Sequence, residues 1–224
     1  DIRALSDICT DHALHFIEDC AQAHGAQYRG RAVGSYGTCG CFSFYPTKNM
    51  TCGEGGMVTS TNPEFINRIR LLINHGQKEK YLHTELGYNF RLTDIAAAIG
   101  RVQLRKLPKM NQTRQENADF FTKKIVRRGI IPPFVRQDST HVFHQYAIRV
   151  TDQADITRDE LVSDLNRKGI GTAIHYPISI HKQPVYEGKI RTGGCPVSEK
   201  ISREILSLPV YPGLTLEQRD SITQ

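Results

Sequence analysis

The sequence predicts an α/β domain followed by a smaller α+β domain, and three observations support this. Short apolar runs alternate with amphipathic stretches in the first half of the chain, which is typical of layered α/β domains. The pair Pro132–Pro133 then marks a boundary, and a second, shorter series of strand-like and helix-like stretches follows it. The 224 residues correspond to about one and a half domains of roughly 150 residues, enough for a hydrophobic core without disulfide bonds.

Turn residues and apolar runs predict the elements at the start of the chain. Gly30 supplies the turn of a hairpin. Pro46 ends a strand, and the glycine-rich segment 53–56 leads into the next strand. The predicted elements are, in order, a helix at 5–12, a strand at 15–17 that runs into Glu18 and Asp19, a hairpin at 28–33, and strands at 41–44 and 57–59.

Capping residues mark the starts of two longer helices. Asn62 precedes Pro63, a residue favoured at the first helical position, and apolar residues recur behind it at helical spacing. Thr93 is a good N-cap for the second helix. We expect this helix to continue, with a bend at Pro108, to about Arg127.

The second half of the chain predicts mixed strands and helices. The predicted elements are a strand at 145–150, a helix at 157–168 capped by Thr157, a strand at 172–175, a helix at 198–206 and a strand at 206–210. The order suggests an α+β domain. We therefore predict a first domain at 1–107, a helical connector at 108–131 and a small C-terminal domain at 132–224.

The net charge of +6 is concentrated in one segment. Residues 101–128 hold nine Lys and Arg and two Asp and Glu, a balance of +7, so the rest of the chain sums to −1. Apolar residues recur there at helical spacing, which favours a solvated helix face over a nucleic-acid site. No zinc-finger, RNA-recognition or basic-zipper motif accompanies it. We therefore expect no nucleic-acid partner and rank nucleic-acid binding through residues 101–128 third among the alternative functions.

Apolar content and cysteine spacing indicate the compartment. No apolar run approaches the ~20 residues that span a bilayer, and the opening DIRALSDICTDH lacks the features of a secretory signal. The six cysteines have no spacing typical of a disulfide framework, and no CxxC or HxxxH pair predicts a metal site. We expect a cytoplasmic protein with no membrane partner, no metal and small buried cysteines.

Polar residues cluster at the predicted ends of two strands. Asp19 ends one strand and Gln22 follows three residues later, whereas Ser43 and Lys48 lie around the end of another. The carboxyl ends of strands line the ligand crevice of open α/β sheets. An acid, an amide, a hydroxyl and an amine there suit a phosphorylated aromatic aldehyde, because the amine forms a Schiff base and the acid pairs with a ring nitrogen.

Several longer stretches resemble one known family. These are IEDCAQAHGAQYRGRAVGSYG, CFSFYPTKNMTCGEGGMVTS, GYNFRLTDIAAAIGRVQL, IHYPISIHKQPVY and ILSLPVYPGL. In this order they resemble the DegT/DnrJ/EryC1/StrS family of pyridoxal-phosphate (PLP)-dependent sugar aminotransferases. The resemblance covers essentially the whole chain. It implies the fold-type-I, aspartate-aminotransferase-like architecture, with residues 1–107 as the C-terminal portion of the large PLP-binding domain.

The resemblance implies a role for five residues. Lys48, in SFYPTKN, matches the lysine that forms the Schiff base with PLP, and Asp19, in IEDCAQ, matches the acid that keeps the pyridine nitrogen protonated. Gln22 matches the residue that contacts the phenolic oxygen of the ring. Ser43 matches a phosphate ligand, and Asn89, in GYNFR, matches one donated by the neighbouring subunit. A homodimer with shared active sites is therefore implied.

Four further residues are candidates for the sugar pocket. His75, in NHG, and Arg91 either shape loops or contact substrate. His175 and Tyr176, in IHYP, resemble a segment near the sugar, and a packing role is the alternative. Family members also begin well before this chain does. The part that precedes the match contains a glycine-threonine phosphate loop and an aromatic residue that stacks on the cofactor, so we expect the large domain of this chain to be incomplete.

The resemblance implies an amino transfer from an amino acid, expected to be glutamate, to a keto group of a nucleotide-linked sugar. The segment PISIHKQPVY favours relatives that act on 3-keto sugars over those that act on 4-keto sugars. One alternative is a PLP-dependent sugar dehydrase, which typically carries His in place of the lysine, so Lys48 speaks against it. The other is a non-catalytic or cofactor-free fragment of an aminotransferase.

Overall fold

The computed structural model describes residues 1–189 and 193–224, which form two compact units. Unit 1 comprises residues 1–112 and 135–144, and unit 2 comprises residues 113–134 and 145–224. These units do not test the domain boundaries that the sequence predicts at 107/108 and 131/132, because compactness alone does not show that a segment folds on its own. The boundaries remain a prediction.

Helices and strands alternate along the described residues. The helices are α1 (Ile2–Asp11), α2 (Pro63–Ile73), α3 (Asp94–Lys124), α4 (Arg158–Arg167), α5 (Pro196–Glu204) and α6 (Leu216–Thr223). The strands are β1 (Ile17–Asp19), β2 (Gln27–Tyr28), β3 (Arg31–Ala32), β4 (Cys39–Ser43), β5 (Gly56–Thr59), β6 (Gln77–Glu79), β7 (Leu82–His83), β8 (Ile130–Ile131), β9 (Ser139–Thr140), β10 (Tyr146–Val150) and β11 (Ile205–Leu208). Two short 3₁₀ helices lie at Ile180–Lys182 and Pro184–Tyr186.

A sheet with the order β1-β4-β5 organises unit 1. Strand β1 pairs in parallel with β4, with Asp19 opposite Cys41, and β5 pairs with β4 in the antiparallel direction. The first strand begins at Ile17, two residues later than predicted, and ends at Asp19, where the sequence places its acidic end. The carboxyl ends of β1 and β4 therefore lie at the same edge of the sheet.

A buried carboxylate fixes the loop between β3 and β4. Glu18 is only 6% exposed, and its side chain accepts hydrogen bonds from the backbone N–H groups of Gly34 at 2.7 Å, Tyr36 at 2.6 Å and Gly37 at 2.8 Å. Gly34 has φ +81°, and a Cβ there would lie 2.6 Å from the Phe42 ring. The loop thus depends on one acid and on one glycine that lets the backbone approach the sheet.

The predicted helix caps are confirmed. The Asn62 side chain accepts hydrogen bonds from the N–H groups of Glu64 and Phe65, and the Thr93 hydroxyl accepts one from Ala96 at 3.2 Å. Helix α3 continues through Pro108 and ends at Lys124, three residues before the predicted end at Arg127. Residues 94–112 of this helix belong to unit 1 and residues 113–124 to unit 2.

A sheet with the order β11-β10-β8 forms the centre of unit 2. Tyr146 and Leu206 are fully buried on its strands, and the Phe121 ring packs edge-on against Tyr146 with 5.3 Å between ring centroids. Thr157 caps α4 as predicted, and with Glu160 it forms a capping box.

Three differences from the predicted elements concern segments with weak patterns. The predicted strand at 172–175 is wrong, because only an isolated bridge forms there, between Ala173 and Ser207. The hairpin β6–β7 and helix α6 were not predicted. The hairpin at 28–33 is confirmed as β2–β3, and β9 joins it at residues 139–140.

The described residues contain neither a membrane-spanning helix nor a metal-binding cluster. None of their helices is both long and apolar enough to cross a membrane. No group of three or more His, Cys, Asp or Glu residues among them is placed to hold a metal ion.

Candidate active site

Two polar residues end the parallel strands of unit 1. Asp19 ends β1 and Ser43 ends β4, so both leave the same edge of the sheet. The Asp19 carboxylate is exposed and accepts a hydrogen bond from the N–H of Ala21 at 3.0 Å. The Ser43 hydroxyl accepts one from the N–H of Tyr45 at 3.3 Å. An acid and a hydroxyl thus lie at one sheet edge, and their role toward a ligand stays a prediction.

Lys48 lies in a tight turn that directly follows β4. Its N–H donates to the carbonyl of Tyr45 at 3.0 Å. The base of the turn is closed by Phe44, whose carbonyl accepts from the Thr51 hydroxyl at 2.8 Å and from the N–H of Cys52 at 3.2 Å. Within the described part of the chain, the half-buried Lys48 ammonium forms no ion pair or hydrogen bond. The turn therefore presents an amino group that has no partner among the described residues and is open to contact with a ligand.

An apolar cluster packs beneath this turn. Phe44, Met50, Cys52 and Leu107 are buried together. Since Leu107 lies on α3, the cluster attaches the Lys48 turn to the part of that helix in unit 1.

His24 is a buried neighbour of Lys48 that the sequence did not single out. It is 2% exposed, and its ring lies 5.6 Å from that of Phe42 and 6.0 Å from that of Phe44. Burial lowers the pKa of His24, and the charge of Lys48 lowers it further, while the Ser43 backbone acts in the opposite direction. A neutral imidazole therefore adjoins the lysine. Although His24 lies in the quoted stretch AQAHGA, no spacing or pairing marked it.

Burial suppresses the acidity of thiols close to the site. Burial raises the pKa of Cys20 to about 11, with the charges of Glu18 and Asp19 as further causes. Burial likewise raises the pKa of Cys39 and of Cys52. All six cysteines are free thiols, although Cys195 is exposed, so the prediction of small buried cysteines holds only in part.

The remaining candidates of unit 1 lie on two other segments. Gln22 is exposed in the turn that follows β1. His75, Asn89 and Arg91 belong to segment 74–91: the N–H of His75 donates to the carbonyl of Tyr88 at 2.9 Å, and Arg91 donates to the Asn74 side chain at 2.9 Å. Asn89 is exposed and pairs with Asn74 in a β-bridge. His75, Asn89 and Arg91 therefore lie on one segment, and each of them is held by a contact within residues 74–91.

His175 and Tyr176 belong to unit 2. Nδ1 of His175 lies 3.1 Å from the Ser207 hydroxyl, and the Tyr176 ring is 65% exposed and perpendicular to that of His175. His175 thus has a hydrogen-bond partner within unit 2, whereas the Tyr176 ring is open to solvent.

A charged cluster anchors the segment that follows Tyr176. Glu199, on α5, lies 2.9 Å from Nε2 of His181 and 2.6 Å from Nζ of Lys182. These hydrogen bonds, that of Lys182 first, lower the pKa of Glu199 from 4.5 to about 2. The cluster stabilises the position of the 3₁₀ helix Ile180–Lys182 on α5.

We expect the Glu199 cluster to add an acid-sensitive part to the stability of unit 2. Because folding depresses the pKa of Glu199 from 4.5 to about 2, its contribution is complete above the ordinary value and is lost as the pH falls toward 2. The free energy of unfolding, measured by urea titration at a series of pH values, should decrease across this window. In Glu199→Gln that decrease should be smaller, and an unchanged pH profile would contradict the assignment.

Comparison with known proteins identifies the family. The model of the DegT/DnrJ/EryC1/StrS aminotransferase family matches residues 1–224. The chain belongs to this family. It is 39% identical over 221 residues to "dTDP-3-amino-3,4,6-trideoxy-alpha-D-glucose transaminase" of Streptomyces venezuelae, covering 97% of this chain and 57% of the relative. It is also 39% identical over 219 residues to a "UDP-N-acetyl-3-dehydro-alpha-D-glucosamine 3-aminotransferase" of Acidithiobacillus ferrooxidans, covering 97% and 58%.

A solved family member has the same fold. The crystal structure of S. venezuelae DesV in complex with a ketimine intermediate superimposes with a TM-score of 0.93 at 39% identity, covering 100% of this chain and 60% of that one. The fold-type-I prediction is therefore confirmed. The chain spans less than two thirds of the length of these relatives.

Proposed function

We propose that the full-length protein is a PLP-dependent aminotransferase that moves an amino group from glutamate to a keto group of a nucleotide-linked sugar. One observation carries this proposal: Lys48, in the turn after β4, has an ammonium without a partner among residues 1–189 and 193–224, while Asp19 ends the parallel neighbour β1. The family match and the transaminase names of the relatives support it.

The donor set of unit 1 fits PLP. An exposed carboxylate, Asp19, can accept a hydrogen bond from a protonated pyridine nitrogen, the Ser43 hydroxyl can hold phosphate, and the Lys48 amine can bind an aldehyde carbon. Gln22, exposed in the turn after β1, is proposed to contact the phenolic oxygen. Asn89 is proposed to reach the phosphate of the partner subunit in a homodimer.

The residues of this chain would supply binding and proton transfer. When bound, PLP withdraws the electrons of the bond that breaks at the amino-bearing carbon. Asp19 keeps a proton on the ring nitrogen by its negative charge. The neutral His24 that adjoins Lys48 adds no second positive charge beside the amine that would bind the aldehyde carbon. Nζ of Lys48 would also act as the base that moves the proton during the transfer.

The names of two relatives refine the proposed substrate. Both names place the amino group or the keto group at position 3 of the sugar, which supports a 3-keto substrate as PISIHKQPVY also does. His75, Arg91, His175 and Tyr176 are proposed as residues of the sugar pocket, with Tyr176 the most exposed ring among them. The free cysteines support a cytoplasmic location.

An amino-transfer assay tests the proposal. Full-length protein would be mixed with PLP, isotope-labelled glutamate and a nucleotide-linked 3-keto or 4-keto sugar, and the products analysed by mass spectrometry. We expect label in an amino sugar, with the faster rate for the 3-keto substrate. A product that loses water without gaining nitrogen would establish the dehydrase alternative, and a protein that neither binds PLP nor changes the sugar would establish the non-catalytic one.

A further inference from the structure

A chain of buried amides lies behind the Lys48 turn. Asn49 follows Lys48 directly and is 4% exposed. Its Nδ2 donates to Oδ1 of Asn111 at 2.8 Å and to the carbonyl of Val142 at 2.8 Å. Both contacts lie within unit 1. Because a buried amide that loses its partner is left unsatisfied, these hydrogen bonds hold the residue next to Lys48 in one place.

Asn111 connects this turn to the segment that carries Asp19. Asn111 lies on α3 and is 7% exposed. While its Oδ1 accepts from Asn49, its Nδ2 donates to the backbone carbonyl of His24 at 2.8 Å. Gly25 has φ +81°, and a Cβ there would come within 2.8 Å of Nδ2 of Asn111. The glycine therefore leaves the space through which the helix side chain reaches the turn.

One side chain thus contacts both halves of the proposed cofactor site. The segment from Asp19 to His24 follows β1, and the segment from Ser43 to Asn49 follows β4. Backbone pairing sets the distance between the strands, and it continues through the hydrogen bond from the N–H of Cys20 to the carbonyl of Cys41 at 2.8 Å. Beyond Cys20, the described residues of the two turns are not paired as strands. The His24 ring packs against Phe44, and Asn111 adds a hydrogen-bonded connection between the two segments through one donor and one acceptor.

We propose that Asn111 is a positioning residue that sets the placement of Lys48 relative to Asp19. The proposal rests on the proposed PLP chemistry, and Asn111 itself acts through Asn49 and the His24 backbone. An amine and an acid that act on one small ring must be held to within about 0.5 Å, so a loose supporting contact weakens both binding and chemistry.

A second asparagine on the same helix provides a matched control. Asn117 is 1% exposed, its Nδ2 donates to the carbonyl of Tyr211 at 3.1 Å, and its Oδ1 accepts from Arg219 at 3.2 Å. All three residues belong to unit 2. Asn111→Leu and Asn117→Leu therefore remove similar buried hydrogen bonds from one helix, and only the first removes contacts to the Lys48 turn.

The test compares these variants in the full-length protein. The visible absorbance of bound PLP would be titrated with pH, and PLP dissociation and the thermal midpoint would be measured alongside. Asn111→Leu should move the titration midpoint by about one pH unit and weaken PLP binding roughly tenfold. Asn117→Leu should lower the thermal midpoint while keeping the wild-type titration and affinity. An unchanged midpoint and affinity in Asn111→Leu, or the same shift in Asn117→Leu, overturns the proposal.

Two further measurements keep the result decisive. If Asn111→Leu does not fold, Asn111→Asp keeps the oxygen that accepts from Asn49 and removes the donor to the His24 carbonyl. A shifted midpoint in Asn111→Asp supports the proposal, and a wild-type midpoint and affinity overturn it. If the wild-type protein shows no visible PLP absorbance, the proposed function and this inference both fail, whereas a wild-type band that Asn111 variants share unchanged overturns the inference alone.

Discussion

Replacement of Lys48 by alanine in the full-length protein is expected to abolish amino transfer, with kcat reduced by roughly 10⁴-fold. The turn after β4 offers one amine that is free among the described residues, and no other group there can both bind an aldehyde and carry the proton. The measurements are steady-state kinetics and the visible absorbance of added PLP, which should be lost or strongly altered.

Two variants control this experiment. Lys48→Arg keeps the positive charge but cannot become a neutral nucleophile near pH 7, so we expect it to be as inactive as Lys48→Ala. Lys123 is exposed near the end of α3, and Lys123→Ala should keep wild-type kinetics. Wild-type turnover in Lys48→Ala would refute both the assignment of the lysine and the mechanism built on it.

Replacement of Glu18 by alanine is expected to lower the free energy of unfolding by about 3–5 kcal/mol. The Glu18 side chain accepts three backbone hydrogen bonds from residues 34–37, and the variant would leave these N–H groups without their partner. Glu18→Gln should cost about 1–3 kcal/mol, because it keeps the volume and one acceptor.

Urea denaturation of the full-length protein measures the effect of Glu18. Glu79 is an exposed acid at the end of β6, and Glu79→Gln should change stability by less than about 0.5 kcal/mol. A loss below about 1 kcal/mol in Glu18→Ala would show that the loop at residues 34–37 does not depend on this carboxylate.

Local signals in the sequence predicted those elements that local chemistry controls. The caps of α2 and α4 were predictable because Asn62 and Thr157 satisfy backbone donors within their own helices. The hairpin β2–β3 was predictable from Gly30 in its turn. Asp19, Ser43 and Lys48 could be selected because polar residues that end apolar strands collect at one sheet edge.

Features formed by distant residues were not predictable from spacing. Residues 172–175 have strand-like composition, yet among the described residues their strand pairing is limited to the bridge of Ala173 to Ser207, a residue of β11. The β6–β7 hairpin is polar and mostly exposed, so it lacks the alternation that marks a strand. Asn49 and Asn111 are 62 positions apart, and only the packing of α3 on the Lys48 turn brings their amides together.

The weakly acidic thiol of Cys20 affects which side chain an aldehyde would react with at this site. Aldehydes add to thiolates as well as to amines, and Cys20 directly follows Asp19. With a pKa of about 11, this sulfur remains protonated near pH 7 and is a poor nucleophile. An electrophile at the carboxyl ends of β1 and β4 therefore meets a buried thiol that competes poorly with an amine, so the burial of Cys20 favours reaction at the nitrogen of Lys48.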